Sequence, residues 1–279
     1  MTHIIDGNAI AAKKREEIAQ EIAENNLAPT LHIILANNLD ASAIYVRRKI
    51  KACEEVGITP HLHKFDETCD QNEIIDLVET LNNDARAHGI FMQLPAFDHI
   101  DDNVVVQSIN PDKDVDGLTH INMGRLVASN KNGLVACTPQ GVMEILAYEK
   151  TDLSGKHAVI VGRSLLFGKP MGQLLLQANC TVTQCHSHTH DLPSITKQAD
   201  ILIVAVGQPE MIKADWVKNG ATVIDVGISK NNDCQICGDV DFGNVKNIAR
   251  AITPVPGGVG PMTVANLLSN TVKAAQKTT

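Results

Sequence analysis

Tyr45 and Lys49 stand four positions apart in a segment whose apolar residues recur at helical spacing. Residues at positions i and i+4 lie on one face of a helix, so the phenol and the amine would point in the same direction. A partly buried lysine has a lowered pKa and can exchange protons near neutral pH. A tyrosine packed at the edge of the core beside a solvated lysine would have the same spacing, so both interpretations stay open.

Two further polar residues stand where they could meet a ligand. Gln93 ends the apolar run 89–92, and parallel sheets bind ligands at the carboxyl ends of their strands. It would either face such a site or pair with stray backbone groups. Asp116 lies in the segment Asp114-Val-Asp-Gly117, which most often forms a solvated turn. The downstream ligands of an EF-hand are missing, so a calcium loop is disfavoured.

A glycine-containing loop, Gly162 to Gly168, follows an apolar run and precedes a predicted helix. A helix N-terminus binds phosphate because it offers unpaired N–H groups and a partial positive charge. The spacing does not fit the GxGxxG fingerprint, and an ordinary strand-to-helix loop is the alternative. The next predicted strand ends without the carboxylate that binds the ribose of NAD. Arg163 and Ser187 could instead bind a 2′-phosphate, so we expect NADP.

Two functions remain as alternatives for these residues. An NADP-dependent dehydrogenase of a simple alcohol or a shikimate-type acid would need a proton relay to the substrate oxygen. Alternating histidines on a strand share a face and could hold zinc. The residues available for such a module are Cys185, His186, His188 and His190, with Cys234 and Cys237. We favour a polar strand end with solvated imidazoles and therefore expect no metal.

The elements that would position these residues alternate between helix and strand. In the first half, helices are predicted over 9–24, 40 or 42 to 56, and 74–81, with strands over 31–35 and 89–95. Asp40 or Ser42 would cap the second helix, and Gly57 would follow its end. Asp70 and Glu73 resemble a capping box. This alternation predicts a mostly parallel sheet, followed by a loop at 110–132 that would separate two domains.

The second half has a doubly wound pattern. Thr138 would be the N-cap of a helix with Pro139 in its first turn. Strands are predicted over 156–161, 180–185, 201–206 and 222–226, with a helix over 171–178 and one short helix in each remaining gap. A final helix is predicted over 263–276.

The composition restricts the partners of this chain of 279 residues. Its net charge of −8 and the lack of a run rich in Lys or Arg disfavour nucleic acid. No apolar run approaches the length of a membrane span, and the first twenty residues do not resemble a signal peptide. We therefore expect a cytoplasmic protein that binds no membrane. Cys53 and Cys180 lie in apolar, periodic contexts, so we expect buried thiols and no disulfide framework.

Five segments occur in an order that is typical of one family. They are Tyr45-Val-Arg-Arg-Lys49, Gln93-Leu-Pro95, Pro111-Asp-Lys-Asp-Val-Asp-Gly-Leu118, Gly162-Arg-Ser with Gly168-Lys-Pro-Met171, and Pro254-Val-Pro-Gly-Gly-Val-Gly-Pro-Met-Thr263. The chain resembles the bifunctional methylenetetrahydrofolate dehydrogenase and methenyltetrahydrofolate cyclohydrolase family in its bacterial form, the FolD family. The resemblance extends from Asp6-Gly7 to the last helix.

The resemblance implies a two-domain α/β enzyme with a cleft between the domains. Residues 1–119, completed by the C-terminal helix 262–279, would form the catalytic folate-binding domain. Residues 138–258 would form a Rossmann-type NADP-binding domain. The implied reactions oxidise 5,10-methylenetetrahydrofolate with NADP and then hydrolyse the methenyl product to 10-formyltetrahydrofolate. Members of the family pair as homodimers through their nucleotide-binding domains.

The resemblance also implies roles for individual residues. Lys49 would be the acid and base of the hydrolytic step, and Gln93 would hold it and help to keep it neutral. Tyr45 would lie against the folate, and Asp116 would accept hydrogen bonds from the pterin amino edge. The other implied folate-binding residues are Leu94, Pro256, Gly257, Gly258 and Val259. Arg163 and Ser187 would meet the 2′-phosphate, and the rest of NADP would contact Thr138, Gly162, Ser164 and Ile228.

The chain departs from the family pattern at three places. Gln140 stands where a basic residue is common, and Ser229 stands where asparagine is usual. Asn37-Asn38 replaces a pair of smaller residues before the helix that carries Lys49. None of these changes removes a group with an implied catalytic role.

Overall fold

The computed structural model describes residues 2–230 and 234–277. The chain divides into two compact units, which we name by their longest segments. The 138–263 unit contains Thr138–Thr263 and the residues up to Ala12, and the 13–137 unit contains Lys13–Cys137 and the chain from Val264 onward. Within the described ranges, no helix is both long and apolar enough to cross a membrane.

Strands and helices alternate along most of the chain. The strands are β1 (His3–Ile4), β2 (Thr30–Leu35), β3 (Thr59–Lys64), β4 (Gly89–Gln93), β5 (His157–Val161), β6 (Thr181–Cys185), β7 (Ile201–Val204), β8 (Thr222–Asp225), β9 (Ser229–Lys230), β10 (Ile236–Cys237) and β11 (Ala251–Ile252). The helices are α1 (Gly7–Glu24), α2 (Asp40–Val56), α3 (Gln71–Asn83), α4 (Asp102–Ser108), α5 (His120–Val127), α6 (Cys137–Tyr148), α7 (Gly168–Gln177), α8 (Leu192–Thr196), α9 (Phe242–Val245) and α10 (Val259–Gln276). A 3-10 helix covers Ala214–Trp216.

The 13–137 unit has a three-stranded parallel sheet in the order β3-β2-β4. Side chains alternate across a strand, so β2 supplies both cores of the unit. Ile33 packs in a cluster with residues of α1, α2 and α10, while Ile34 packs in a cluster with residues of α3 and α4. The edge strand β3 is largely exposed and carries Pro60 and Lys64, residue types that discourage pairing with another chain.

The 138–263 unit has a six-stranded sheet in the order β1-β11-β8-β7-β5-β6, and each pairing within it is parallel. Its central strands β5, β7 and β8 are almost entirely buried and mostly aliphatic, as expected for a parallel sheet covered on both faces. The predicted α/β class with a mostly parallel sheet is confirmed. The residues up to Ala12, which we expected in the catalytic domain, contribute β1 to this sheet, where His3 pairs with Ala251.

Several local predictions are confirmed. Asp70 and Glu73 form a complete capping box at α3. Gly57 follows α2 in the left-handed region, with φ of 88°. The predicted helices of 9–24 and 171–178 correspond to α1 and α7, and a helix lies in the gap between β6 and β7. The gap between β7 and β8 holds only the 3-10 helix.

Other local predictions were wrong. Neither Asp40 nor Ser42 caps α2. The helix begins at Asp40, so its N-cap residue is Leu39, whose side chain cannot form a capping hydrogen bond. The N–H of Leu39 donates to the side-chain oxygen of Asn37. Thr138 is not an N-cap, since α6 begins at Cys137, one residue earlier. The hydroxyl of Thr138 lies 3.0 Å from that of Thr263.

The boundaries of three predicted elements also changed. The expected loop 110–132 contains α5, because Thr119 caps that helix and its Asn122 and Leu126 are buried. β4 ends at Gln93, before Pro95, which has no N–H for a sheet. The final helix begins at Val259, four residues before the predicted start at Thr263. Residues 278 and 279 of the expected C-terminal helix 262–279 lie outside the described residues.

Three imidazoles form a cluster on β2 and β3. The ring of His32 stacks on that of His61 at 4.6 Å, and its Nδ1 lies 3.0 Å from Nε2 of His63. The pKa of His32 is lowered to about 4, chiefly by burial and also by the charges of His61, His63 and Lys113, while Asp84 acts in the opposite direction. The folded state therefore favours a neutral His32.

We expect the free energy of unfolding to fall as the pH is lowered from about 6.5 to about 4. The unfolded state binds the His32 proton first, because the folded pKa is below the unfolded value. Stability from this group is thus present above pH 6.5 and is lost on acidification. Denaturant melts across this range should show a smaller slope for His32→Gln than for the parent. Equal slopes in parent and variant would contradict the assignment.

Candidate active site

Lys49, a candidate catalytic residue from the sequence, is buried in the 13–137 unit. Its side chain lies on α2 and is only 9% exposed, while Tyr45, one turn earlier, is 39% exposed. The Nζ atom donates to Oε1 of Gln93 at 3.0 Å and lies 3.7 Å from the centroid of the Phe91 ring. Burial lowers the pKa of Lys49, and the charge of Asp116 partly opposes this effect. The amine is thereby prepared to lose a proton more easily than a solvated lysine.

Gln93 is oriented by the chain that follows β4. Its Nε2 donates to the carbonyl of Leu94 at 2.9 Å, which leaves Oε1 to accept from Lys49. The Leu94–Pro95 peptide is cis, and the Asn37 side chain donates to the Pro95 carbonyl. Asn37, one of the residues that depart from the family pattern, therefore stabilises the segment that follows Gln93.

Asp116 sits in a turn that Asp114 organises. The carboxylate of Asp114 accepts from the backbone N–H of Gly117 at 3.0 Å and of Thr119 at 2.8 Å, and from Nδ2 of Asn122 at 3.0 Å. Asp114 is the buried anchor of this turn, and the carboxylate of Asp116 acts electrostatically on Lys49. The segment 114–117 therefore forms a turn with a buried carboxylate and not a solvated turn.

The surroundings of Asp116 perturb its ionisation. The pKa of Asp116 is raised to about 6, chiefly by burial; the charge of Lys49 opposes the rise and the charge of Asp114 adds to it. The carboxylate is therefore ionised at neutral pH and is protonated in mildly acidic solution. A carboxylate and an amine with shifted pKa values, close together, are typical of functional sites.

Cys137 belongs to the same group of residues and was not predicted. Its thiol is buried and carries a single proton, for which the Val115 carbonyl, 3.2 Å from Sγ, and the Asp116 carboxylate are two alternative acceptors. Burial raises the pKa of this thiol well above its usual value, so it stays protonated. Its position directly before Thr138-Pro139 gave no spacing signal, because the contact with Asp116 depends on the packed loops.

The loop after β5 in the 138–263 unit has the backbone geometry of a phosphate site. Gly162 has φ of 133°, and its N–H donates to the Cys185 carbonyl. A side chain there would collide with the Ala205 carbonyl, and one at Gly168 would collide with Gly162. No side chain caps α7, which begins at Gly168. The glycines thus allow close backbone approach at the N-terminus of α7, as a bound phosphate would need.

Arg163 and Ser187 follow neighbouring strands. Val161 of β5 pairs with Cys185 of β6, so the two loops emerge side by side, and both Arg163 and Ser187 are exposed. Burial is the larger cause of the lowered pKa of His186, and the charge of Arg163 lowers it as well. Among residues 2–230 and 234–277, no carboxylate forms an ion pair with Arg163, which leaves its guanidinium available to an anion.

The remaining predicted residues of this unit occupy loops and helix starts. The Ser164 hydroxyl accepts from the Phe167 N–H, and Ile228 is 54% exposed after β8. The Val255–Pro256 peptide is cis, and Gly257 has φ of 101°. Gly258 packs so tightly against Gly7 that a side chain on Gly7 would collide with its carbonyl, and Val259 begins α10.

Family models match nearly the whole chain. Residues 5–116 match the model described as tetrahydrofolate dehydrogenase/cyclohydrolase, catalytic domain. Residues 136–279 match the model described as the NAD(P)-binding domain of the same enzymes.

The chain belongs to the tetrahydrofolate dehydrogenase/cyclohydrolase family.

Individual relatives agree with this assignment. The bifunctional protein FolD of Caulobacter sp. (strain K31) is 49% identical, with 98% of this chain and 96% of the relative covered. The crystal structure of the FolD enzyme of Campylobacter jejuni has a TM-score of 0.97 at 45% identity, covering 99% of each chain. The Trypanosoma brucei enzyme, complexed with NADP cofactor and inhibitor, has a TM-score of 0.93 at 35% identity, with 99% and 98% covered.

Membership of the tetrahydrofolate dehydrogenase/cyclohydrolase family confirms the resemblance found in the sequence. The chain is an enzyme of one-carbon folate interconversion with a catalytic domain and an NAD(P)-binding domain. The alternative of an alcohol or shikimate-type dehydrogenase is therefore not supported.

The zinc module receives no support from the geometry. Within the part of the chain that the structure describes, no group of three or more His, Cys, Asp or Glu side chains could hold a metal ion. Nδ1 of His186 accepts from the His188 N–H, and Cys185 is buried.

A surface cavity of about 270 Å³ lies at the amino ends of β5, β7 and β8, whereas Gly162 follows the carboxyl end of β5. Its lining includes Lys156 and Lys218, which pair with Asp152 and Asp200. None of the residues expected to bind folate or NADP lines it.

Proposed function

We propose that the chain oxidises 5,10-methylenetetrahydrofolate to 5,10-methenyltetrahydrofolate with NADP and hydrolyses the product to 10-formyltetrahydrofolate. The observation that carries this proposal is the buried Lys49 amine, which donates to Gln93 and feels the charge of Asp116 in a chain of this family. The 13–137 unit would act on folate, and the 138–263 unit would bind NADP.

The two reactions make different demands on the protein. When bound, NADP supplies the acceptor for the hydride. Loss of a hydride from the substrate needs alignment and no proton transfer, so the role of the chain is to position the folate. Attack of water on the methenyl cation does need proton transfer. As the C–O bond forms, Lys49, with its lowered pKa, would accept one proton from water and return it to the nitrogen whose bond to that carbon breaks, while the second proton of water is released to solvent.

The neighbours of Lys49 would divide the remaining roles. Gln93 would hold the amine, and Asp116, ionised at neutral pH, would accept hydrogen bonds from the pterin amino edge. Tyr45, half exposed beside Lys49 on α2, would lie against the folate. The other folate-binding residues would be Leu94, Pro256, Gly257, Gly258 and Val259.

The residues after β5 and β6 fit the NADP phosphates. The unpaired guanidinium of Arg163 and the exposed hydroxyl of Ser187 would bind the 2′-phosphate, since no ion pair competes for Arg163 in the described ranges. The rest of the cofactor would contact Thr138, Gly162, Ser164 and Ile228. Gln140 and Ser229, which depart from the family pattern, lie at the start of α6 and in β9.

The Arg163→Ala variant should have a strongly raised KM for NADP and a nearly unchanged KM for NAD. The guanidinium would interact with a phosphate that NAD lacks, and a charge-assisted hydrogen bond contributes about 1.5–3 kcal/mol. Steady-state kinetics with both nucleotides checks this expectation. Lys197→Ala, an exposed basic residue after α8, is the matched control and should behave like the parent. Equal changes for the two nucleotides would refute the role of Arg163.

One pair of assays tests the whole proposal. Production of NADPH from methylenetetrahydrofolate measures the dehydrogenase, and loss of the methenyltetrahydrofolate absorbance without nucleotide measures the cyclohydrolase. We expect both activities from the same preparation. A protein that oxidises its substrate and leaves methenyltetrahydrofolate intact would be a dehydrogenase of another kind.

We also propose a cytoplasmic homodimer that pairs through its nucleotide-binding units. β6 is an edge strand of the six-stranded sheet with a partly exposed face, so it could adjoin a second copy. Five of the seven cysteines are buried free thiols, a state that a reducing compartment maintains. Sedimentation equilibrium would establish the number of chains in the particle.

A further inference from the structure

Asn270 lies on α10 and forms hydrogen bonds with two other segments of the 13–137 unit. Its side chain is completely buried. Its Nδ2 donates to the carbonyls of Val115 and Val135, each at 2.9 Å, and lies 3.7 Å from Sγ of Cys137. Carbonyl oxygens can only accept, so they fix the orientation of the amide. The two N–H groups of the Asn270 amide thus donate to two chain segments that lie far from Asn270 in sequence.

The two carbonyls belong to the segments that carry Asp116 and Cys137. Val115 directly precedes Asp116, and its carbonyl also accepts from the Cys137 thiol. Gly117, in the left-handed region with φ of 71°, lies so close that a side chain there would approach the Ala136 nitrogen to 2.5 Å. The turn with Asp116 therefore rests directly on the segment before Cys137, and Asn270 ties both to α10.

We propose that Asn270 is a positioning residue for Asp116, which it holds at the separation from Lys49 that folate binding and hydrolysis require. This inference rests on the proposed roles of Asp116 and Lys49. Asn270 touches neither reacting group, so its effect passes through the Val115 carbonyl to the adjoining carboxylate. Without the two donors, the Val115 and Val135 carbonyls would each lose a partner, and the turn would relax away from α10.

The expected consequence is electrostatic as well as geometric. The carboxyl of Asp116 faces the charge of Lys49, the Cys137 thiol and the charge of Asp114. Lys49 and the thiol lower the pKa of Asp116, whereas burial and Asp114 raise it. If the turn moves away from Lys49, the pKa of Asp116 rises. Folate affinity would then be lost at a higher pH than in the parent.

The test is the Asn270→Leu variant, which keeps the approximate volume and removes both donors. We expect the KM for folate at neutral pH to rise about tenfold or more, because small misplacements of a binding group are costly. The acid limb of the pH profile of kcat/KM should move to higher pH, with NADP affinity unchanged. Thr271→Val is the matched control, since Thr271 is buried on the same helix and its hydroxyl donates only to the Leu267 carbonyl. It should retain the parental profile.

A double-mutant cycle separates positioning from general destabilisation. In an Asp116→Asn background, Asn270→Leu should add little, because the group it positions is already neutral. If Asn270→Leu does not fold, Asn270→Ser keeps one donor and should shift the same limb by a smaller amount. Two results would overturn this inference alone. The first is a folded Asn270 variant with the parental KM for folate and the parental acid limb of the pH profile. The second is full additivity of the Asp116→Asn and Asn270→Leu effects. A parent with neither folate activity would overturn the proposed function and this inference with it.

Discussion

Replacing Lys49 with methionine is expected to reduce cyclohydrolase activity to background while some dehydrogenase activity remains. Methionine keeps a similar unbranched side chain, so packing against Phe91 should survive. Loss of a general base costs about 10²–10⁴-fold, whereas hydride transfer needs no base and should lose only the contribution of positioning. The measurement is single-turnover oxidation of methylenetetrahydrofolate, in which methenyltetrahydrofolate should accumulate.

The control for this variant is Lys51→Met on the same helix. The side chain of Lys51 is 79% exposed and only approaches Glu55, so both activities should stay at parental levels. Melting temperature and NADP affinity of Lys49→Met should also be unchanged. Parental hydrolysis by Lys49→Met would show that Lys49 is not the base. Loss of both activities together would mean that Lys49 also positions the folate.

Replacing Asp116 with alanine is expected to weaken folate binding in both reactions and leave NADP binding intact. Each charge-assisted hydrogen bond to the pterin amino edge contributes about 1.5–3 kcal/mol, so loss of one reduces affinity by roughly tenfold to a hundredfold. Calorimetric titration with a folate ligand measures the effect directly. Asp98→Ala removes an exposed carboxylate from the same unit and should not change folate affinity.

The same carboxylate predicts a pH dependence for the parent. Because the pKa of Asp116 is raised to about 6, folate affinity should decline as the pH falls through that value. Asp116→Ala should have a low affinity with no such decline near pH 6. A variant that binds folate as tightly as the parent would make Asp116 a residue of the turn only.

Local signals determined the elements that the sequence predicted well. The capping box at Asp70 and Glu73, the left-handed Gly57 after α2, and the buried runs of β5, β7 and β8 all depend on residues that are near in sequence. The same kind of signal placed Tyr45 and Lys49 on one helix face. Where a distant segment decides the outcome, the predictions were wrong or missing, as with the start of α6.

The candidate site shows the same division. Lys49, Gln93 and Asp116 were named from their types and from the family motifs, and the structure brings Lys49 to Gln93 and within the electrostatic influence of Asp116. Their roles in the reaction stay predictions. Cys137 and Asn270 carried no signal, because a buried thiol or amide gains its meaning only from the carbonyls around it.

The sequence by itself therefore determined the α/β class, the order of most elements, the family, and the residue types that could perform the chemistry. These depend on periodicity, capping and motifs, which act over short stretches of chain. Only the tertiary structure decided that β1 joins the six-stranded sheet, that Asp114 rather than Asp116 anchors the turn, and that Asn270 holds that turn to α10. Pairing between distant segments, and the burial that shifts the pKa values of Lys49 and Asp116, exist only once the chain is packed.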